Sequence, residues 1–265
     1  MVLQAEQGQI QIHTENIFPI IKKAVYSGHE VFLRELVSNG VDAISKRRMA
    51  AMGGDCSEGP EGKISIRINR EANTLTISDN GIGMDADEVK RHINQVAFSS
   101  AEDFLEKYKQ ESDAIIGHFG LGFYSSFMVA KQVTVVTRSQ AAGSEGWKWT
   151  SEGGNGYTLE SAPDATPGTQ ITLSLTDEAK EFAQAGNLER IVKRYSNFVA
   201  FPLELDGKRV NTVQDIWARS KNEVKEEEYK EFYEYLAHDK EAPKYRLHFT
   251  ADAPIANQAL LFVPS

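Results

Sequence analysis

The ten residues from Arg34 to Ala43, RELVSNGVDA, constrain this chain more than any other stretch. Glu35, Asn39 and Asp42 recur at i, i+4 and i+7. At about 100° per residue they share one stripe of a helix. The opposite stripe, Leu33, Val37, Val41 and Ile44, is apolar. A helix from His29 to about Met52 satisfies both stripes, and Gly53-Gly54 ends it. On these residues alone two readings of the polar stripe stand. It is the wet face of an ordinary amphipathic helix. Alternatively, two acids and an amide, one turn apart, activate a water and hold a cation.

Upstream, Gln9 to His13 alternates and predicts a short edge strand. Thr14 or Asn16 then caps a helix carrying Ile17, Ile20, Ile21, Ala24 and Val25, broken at Ser27-Gly28. Downstream, Ile64, Ile66 and Ile68 alternate with polar residues and predict a half-buried strand. Glu71 to Asn73 turns the chain, and Thr74 to Ser78 returns with Leu75 and Ile77 inward. That strand ends at Asp79, and DNGIGM follows to Met84. Asp85 with Glu88 reads as a capping box. Asn94 to Glu111 is less regular, and GHFGLGFYS runs from Gly117 to Ser125. Its glycines allow close backbone approach to a ligand. Phe123 to Ala130 reads as a helix.

Three or four strands follow, over Val133 to Arg138, Trp147 to Thr150, Tyr157 to Glu160 and Thr169 to Leu175, and their Gly-rich turns predict an antiparallel meander. Leu188, Ile191, Val192, Tyr195 and Val199 define another amphipathic helix, stopped before Pro202. Asp206-Gly207 is a hairpin signal. Lys221 to Lys240 carries Tyr229, Phe232, Tyr233 and Leu236 at helical spacing, but its charge density reads as a solvated helix. Leu260 to Val263 is an apolar strand with nothing after Ser265 to pair with it, so the chain is expected to stop inside a second domain.

Composition closes several routes. A net charge of −9 gives no general affinity for polyanions. The short basic cluster Lys46-Arg47-Arg48 reads as the capped end of a helix. One cysteine, Cys56, excludes an internal disulfide framework and fits a reducing compartment. Met1 to Gly8 lacks a signal-peptide core, and no run approaches the ~18 apolar residues of a membrane span. The histidines show no zinc-site spacing. The expectation is a cytoplasmic protein without a nucleic-acid or membrane partner.

No P-loop is present, because Gly62-Lys63 is followed by Ile64. The glycines of Gly117 to Gly122 run in the reverse order of the dinucleotide fingerprint. No G-x-S-x-G elbow occurs. What remains is a helix face, an Asp-Asn-Gly after a strand, and a glycine loop before a helix, in that order. Singly, the second is most often a turn and the third a connector.

Taken together, RELVSNGVDA, ISDNGIGM, GHFGLGFYS and PGTQITL (Pro167 to Leu173) closely resemble the nucleotide-binding domain of the ninety-kilodalton heat-shock chaperone family, bacterial branch. Its wider fold is shared with DNA gyrase B, MutL and sensor histidine kinases. The resemblance covers essentially the whole chain. It implies an N-terminal ATPase domain over 1–210 and the beginning of a middle domain over 211–265, including IWARSKNEVKEEEYKEFY and LLFVPS. The charged linker of eukaryotic members is missing. The implied fold is α+β, a two-layer sandwich with a mostly antiparallel sheet and helices on one face.

The resemblance also implies roles. Glu35 matches the general base for attack of water on the γ-phosphate, and Asn39 the magnesium ligand. Asp79 matches the acceptor of the adenine amino group. Gly83 and Thr169 join the water network around the base, and Met84 lies beside them. Phe123 is the ring next to adenine. Gly117, His118, Phe119, Gly120, Leu121 and Gly122 offer backbone N–H groups to the phosphates, and Asp42 stands behind Asn39. The region Asn94 to Gly122 corresponds to a lid. Three departures accompany the match. His92 stands where the family usually has Asn, Phe98 where it has Lys, and His118 where Gln is commoner.

The implied function is ATP binding and slow hydrolysis to ADP with Mg2+, driving a chaperone that clamps client proteins as a homodimer, with cochaperones as possible partners. The dimerising domain and an arginine completing the site lie beyond Ser265, so this chain is expected to bind nucleotide better than it turns it over. Two alternatives stand beside it. One is a nucleotide-binding module with little hydrolysis. The other is another ATPase of this fold, gyrase B-like or MutL-like, which GHFGLGFYS and the charge of −9 disfavour.

Overall fold

The computed structural model of the chain describes residues 28–94, 122–154, 156–211, 216–237, 241–251 and 257–264. The predicted strand 9–13 and helix 14–25 lie outside the described residues. Two compact units result. The larger runs to Ser196 and resumes over Phe201–Val210; the smaller comprises Asn197–Ala200 and the residues from Asn211 on.

In the larger unit, period-two alternation builds an eight-stranded sheet. Strands β1 (Ile64–Asn69) and β2 (Thr74–Asp79) pair antiparallel across a turn where Asn73 adopts φ 50°. Strands β3 (Ala130–Arg138), β4 (Gly146–Ser151) and β5 (Thr158–Ser161) form the expected meander. Strand β6 (Gly168–Leu175) does not continue it. It inserts between β3 and β2, giving the order β5-β4-β3-β6-β2-β1-β7-β8. The reason is burial. Most of β5 is exposed, an edge, whereas β6 carries Ile171, Leu173 and Leu175, which need an apolar neighbour on both sides. Strand β7 (Leu203–Leu205) pairs parallel with β1, the exception in an otherwise antiparallel sheet. It turns through Asp206 (φ 48°) and Gly207 (φ 83°) into β8 (Lys208–Arg209), the hairpin that Asp-Gly predicts.

The register aligns one apolar row across six strands: Trp149, Val135, Ile171, Ile77, Ile66 and Leu205. All six are buried. Helix α1 (Val31–Met52) packs on β1 and β2, and against helix α3 (Ala185–Tyr195) and a 3-10 helix at Gly122–Met128. It closes in a Schellman motif, with Gly54 at φ 82° and Asp55 N–H donating to the Ala50 carbonyl. Its start is clamped by Glu30, which accepts hydrogen bonds from Arg190, Arg194 and Tyr195. Those donors, the Tyr195 hydroxyl first, hold the Glu30 carboxyl below its ordinary range.

The reading of α1 as a helix with a wet polar face needs correction. Asp42 and Arg47 are buried along with Phe32, Leu33, Leu36, Val37 and Ile44. The helix lies between sheet and helices, so neither stripe is simply solvated. The capping box holds: Asp85 accepts from Asp87 and Glu88 N–H, and Glu88 from Asp85 N–H, at the start of α2 (Ala86–His92). Helix α3 stops at Tyr195, and Val199 belongs to the other unit.

In the smaller unit, helix α4 (Glu226–Ala237) was expected to be solvated, but Tyr229, Phe232 and Tyr233 are buried. Its core also takes Ile216 and Val224, with Phe198, Trp217, Leu260 and Phe262 against it. The apolar strand at Leu260–Val263 is not without a partner. It forms β10 (Asn257–Val263), paired antiparallel with β9 (Tyr245–Ala251), which precedes it. Strand β9 alternates strictly, Tyr245, Leu247 and Phe249 with Arg246, His248 and Thr250, yet Tyr245 and Leu247 on the apolar side are exposed. Its inner face is polar at Arg246 and His248, where Arg246 stacks over the Tyr229 ring at 3.6 Å and His248 meets the Tyr229 hydroxyl.

Candidate functional site

Strand parity puts a polar row next to the apolar one. Residues two apart share a face, so Thr137, Thr169 and Asp79 follow Val135, Ile171 and Ile77 on the core side. The three are in register across β3, β6 and β2. Asp79 is half-buried as a residue, but its carboxyl end is desolvated, which pushes its pKa up to about 7. Backbone N–H groups of Gly81 and Thr169 and the charge of Arg47 oppose that rise. The Gly81 bond to Oδ1 measures 2.8 Å.

Thr137 organises the row. Its hydroxyl donates to the Gly168 carbonyl at 3.0 Å, which can only accept. Its oxygen therefore accepts from Met84 N–H (3.0 Å) and from the Thr169 hydroxyl (3.1 Å). That leaves the Thr169 oxygen as an acceptor in the middle of the row, beside Asp79.

The DNGIGM loop is pinned by three hydrogen bonds, one to α1 and two from Gln140. Ile82 N–H donates to the Ala43 carbonyl at 2.9 Å, Gln140 N–H to the Ile82 carbonyl at 2.8 Å, and Gln140 Nε2 to the Gly81 carbonyl at 3.0 Å. Two glycines make this possible. A Cβ on Gly81 would lie 2.5 Å from Ala43, and one on Gly83 (φ +65°) 1.8 Å from the Arg138 carbonyl oxygen. Gly83→Ala should therefore cost about 3 kcal/mol of stability, from strain plus displaced backbone. Gly143→Ala, at φ +75° with open space around it, should cost only about 1 kcal/mol. Urea unfolding of both variants checks this; equal losses would mean that φ, not close approach, dictates glycine at position 83.

Helix α1 approaches the row through Gly40, where a Cβ would touch Ile64 at 3.1 Å and Asp79 Cβ at 3.5 Å. Along its polar stripe Glu35 and Asn39 stay partly exposed, while Asp42 is buried. Glu35 Oε1 accepts from Arg34 Nη2 at 2.6 Å. Oε2 faces Gly122, where a Cβ would lie 2.6 Å away. Gly122 opens the 3-10 helix, so Glu35 touches the end of the second glycine loop. The structure thus brings the helix face together with both glycine-bearing motifs.

Phe123 sits in a buried aromatic cluster, edge-on to Trp149 at 5.6 Å and Tyr124 at 5.5 Å. The Tyr124 hydroxyl donates to the Ile93 carbonyl, and Trp149 Nε1 to Asn94 Oδ1 at 2.8 Å, anchoring the chain just after His92, the last residue of α2. Phe98 and Gly117, His118, Phe119, Gly120 and Leu121 lie outside the described residues.

Sequence reasoning missed Thr137, Gln140, Lys46 and Arg47. Lys46 was legible, since it continues the Glu35-Asn39-Asp42 stripe four residues on; burial lowers its pKa, and Asp42 and Glu88 oppose the shift. The expectation that Lys46-Arg47-Arg48 caps a helix end is corrected. The last turn of α1 carries no basic residue, and the cluster points in three directions.

The family model for histidine kinase-, DNA gyrase B-, and HSP90-like ATPases matches residues 26–162 of this chain, which belongs to that family of ATPases. A second model, Hsp90 protein, matches residues 204–265. Relatives of this chain carry the name chaperone protein HtpG, among them three bacterial proteins. That of Bacteroides fragilis is 42% identical over 274 positions, covering 98% of this chain and 40% of the relative. Those of Desulfitobacterium hafniense and Desulfotalea psychrophila are each 41% identical, covering 98% of this chain and 44% and 43% of the relative. The chain thus spans less than half the length of these relatives. Among the described residues, no helix is long and apolar enough to cross a membrane.

Proposed function

We propose that this chain binds ATP and ADP at the Asp79 row and hydrolyses ATP as the nucleotide-driven part of a cytoplasmic chaperone. The observation that carries it is the placement of Asp79, a desolvated carboxyl on the core face of the sheet, beneath the helix that bears Glu35. A carboxylate there accepts the adenine amino N–H, a charge-assisted bond. The Thr169 oxygen and the backbone around Gly83 and Met84 support waters at the base. Glu35 accepts the proton of the water whose oxygen bonds to the γ-phosphorus, while the bond to the ADP oxygen breaks. Arg34 holds one oxygen of Glu35 in place, and Gly122 leaves room for the other.

Among the described residues no cluster of three His, Cys, Asp or Glu could hold a metal alone. One hard amide oxygen, Asn39, suits a magnesium ion whose remaining ligands are phosphate oxygens and water, and such an ion would neutralise phosphate charge. Gly117 to Gly122 would supply N–H donors to the phosphates, with His92 and Phe98 at the rim. Asp42 would steady Asn39 from behind, and Phe123 would flank the base. In the whole protein, an ATPase domain over 1–210 and a middle domain from 211 would act on client proteins as a homodimer, with cochaperones. Hydrolysis by this chain would be weak without the arginine that the resemblance places beyond Ser265.

Calorimetry with ATP and ADP, paired with a phosphate-release assay, tests the reading. Binding of both with slow release is expected. Binding of neither would sink it, and binding without release would leave a nucleotide-binding module. A pH titration sharpens the test. Since the base needs the Asp79 carboxylate, ADP affinity should be level above about pH 7 and fall below it, approaching tenfold per pH unit, with proton release on binding. An affinity flat through neutral pH would show that Asp79 does not meet the ligand as an anion.

A further inference from the structure

The three basic residues near the end of α1 have separate surroundings. Arg48 lies over the Phe201 ring at 4.5 Å, and Lys46 sits in the field of Asp42 and Glu88. Arg47 is only 1% exposed. Burying a guanidinium is costly, and neutral acceptors compensate it less well than a carboxylate does. Yet its Nη1 donates to the Asn80 carbonyl at 2.7 Å and its Nη2 to the Pro60 carbonyl at 2.5 Å. Asn80 is the residue after Asp79. Its own side chain is held on both sides, Oδ1 accepting from Lys63 N–H and Nδ2 donating to the Glu61 carbonyl, each at 2.8 Å. The Arg47 guanidinium therefore locks the backbone that carries Asp79 and brings a positive charge to it.

We propose that Arg47 is a positioning residue of the nucleotide site: its guanidinium, bonded to the Asn80 and Pro60 carbonyls, fixes the Asp79–Asn80 corner and brings a buried positive charge beside it. The proposal rests on the reading of Asp79 as the adenine acceptor. Other groups around Asp79 do not duplicate the charge. From its own loop and from β6 come the neutral N–H groups of Gly81 and Thr169. Lys63, just before β1, is paired with Glu204 of β7 at 3.3 Å. Glu35, Asp42 and Lys46 occupy a stripe about 100–140° round the helix from Arg47. Arg47 acts on Asp79 through space, so that burial does not drive the carboxyl still higher.

The test compares Arg47→Met, Arg47→Gln and Arg47→Lys with the parent. Carbon-13 NMR of labelled aspartate follows the Asp79 carboxyl without nucleotide, and calorimetry follows ADP over the same pH range. In the neutral variants the Asp79 midpoint should rise by about one unit. ADP affinity should then fall about fivefold at pH 7 and hardly change at pH 9. Arg47→Lys keeps the charge and should keep the parent's midpoint. A midpoint unmoved in a neutral variant, or moved equally by lysine, overturns the proposal, as does an ADP loss equal at every pH. If Arg47→Met fails to fold, glutamine against lysine makes the same comparison. The carboxyl titration needs no nucleotide, so the two failures separate. Equal ADP binding by parent and Asp79→Asn would sink the adenine reading, whereas an unmoved Asp79 midpoint would sink the role of Arg47.

Discussion

Replacing Asp79 with asparagine is expected to abolish nucleotide binding and, at the same time, to make the nucleotide-free protein more stable at alkaline pH. Asparagine still offers an oxygen to the adenine amino group, but loses the charge-assisted bond and the water network fixed by it. The loss should be about 2 kcal/mol or more, roughly thirtyfold or beyond in affinity. Stability moves the other way. The folded Asp79 pKa is raised to about 7, above an unfolded value near 4. The folded state therefore binds the proton more tightly. This group's contribution is most favourable below about pH 4 and is lost as pH rises to about 7. Integrated over that window the cost is about 4 kcal/mol at most. Asparagine does not ionise, so Asp79→Asn should gain a few kcal/mol over the parent at about pH 8, and the gain should shrink toward pH 4. Urea melts at both pH values measure it. A variant less stable than the parent at pH 8 would show that the carboxyl is not desolvated in the free protein.

Glu35→Ala is expected to lower the rate of phosphate release at saturating ATP by about a hundredfold or more while leaving ADP affinity within about threefold. The separation follows from position. Glu35 lies at the far end of the polar stripe from the Gly40 contact with Asp79, and its free oxygen faces Gly122. It can meet water at the phosphates without carrying the binding of the base. Hydrolysis at the parent's rate would remove Glu35 as the general base. Loss of ADP binding in step with hydrolysis would make it a packing residue for the Gly122–Met128 helix.

Much of this arrangement is legible in the sequence. The stripe of Glu35, Asn39 and Asp42 follows from the helical repeat. The Asp85-Glu88 cap and the Asp206-Gly207 hairpin follow from local hydrogen-bonding and φ preferences, and both form. Parity alone makes Asp79 inward, two residues on from buried Ile77. Such features depend on neighbours within a turn or a strand, where backbone geometry leaves few choices.

Only the tertiary structure decided which distant segments meet. The sequence marks β6 as a strand, but not that it inserts between β3 and β2. That insertion is what puts Thr169 beside both Asp79 and Thr137. Arg47 reads as part of a basic cluster capping a helix end until the loop at Pro60 and the corner at Asn80 close over it. The aromatic residues of α4 read as solvated until β9 and β10 fold against them. Periodicity settles which face of an element is apolar, because side-chain direction is set by the local backbone. It carries no information about which other face covers it, because that choice is made by burial summed over the whole unit.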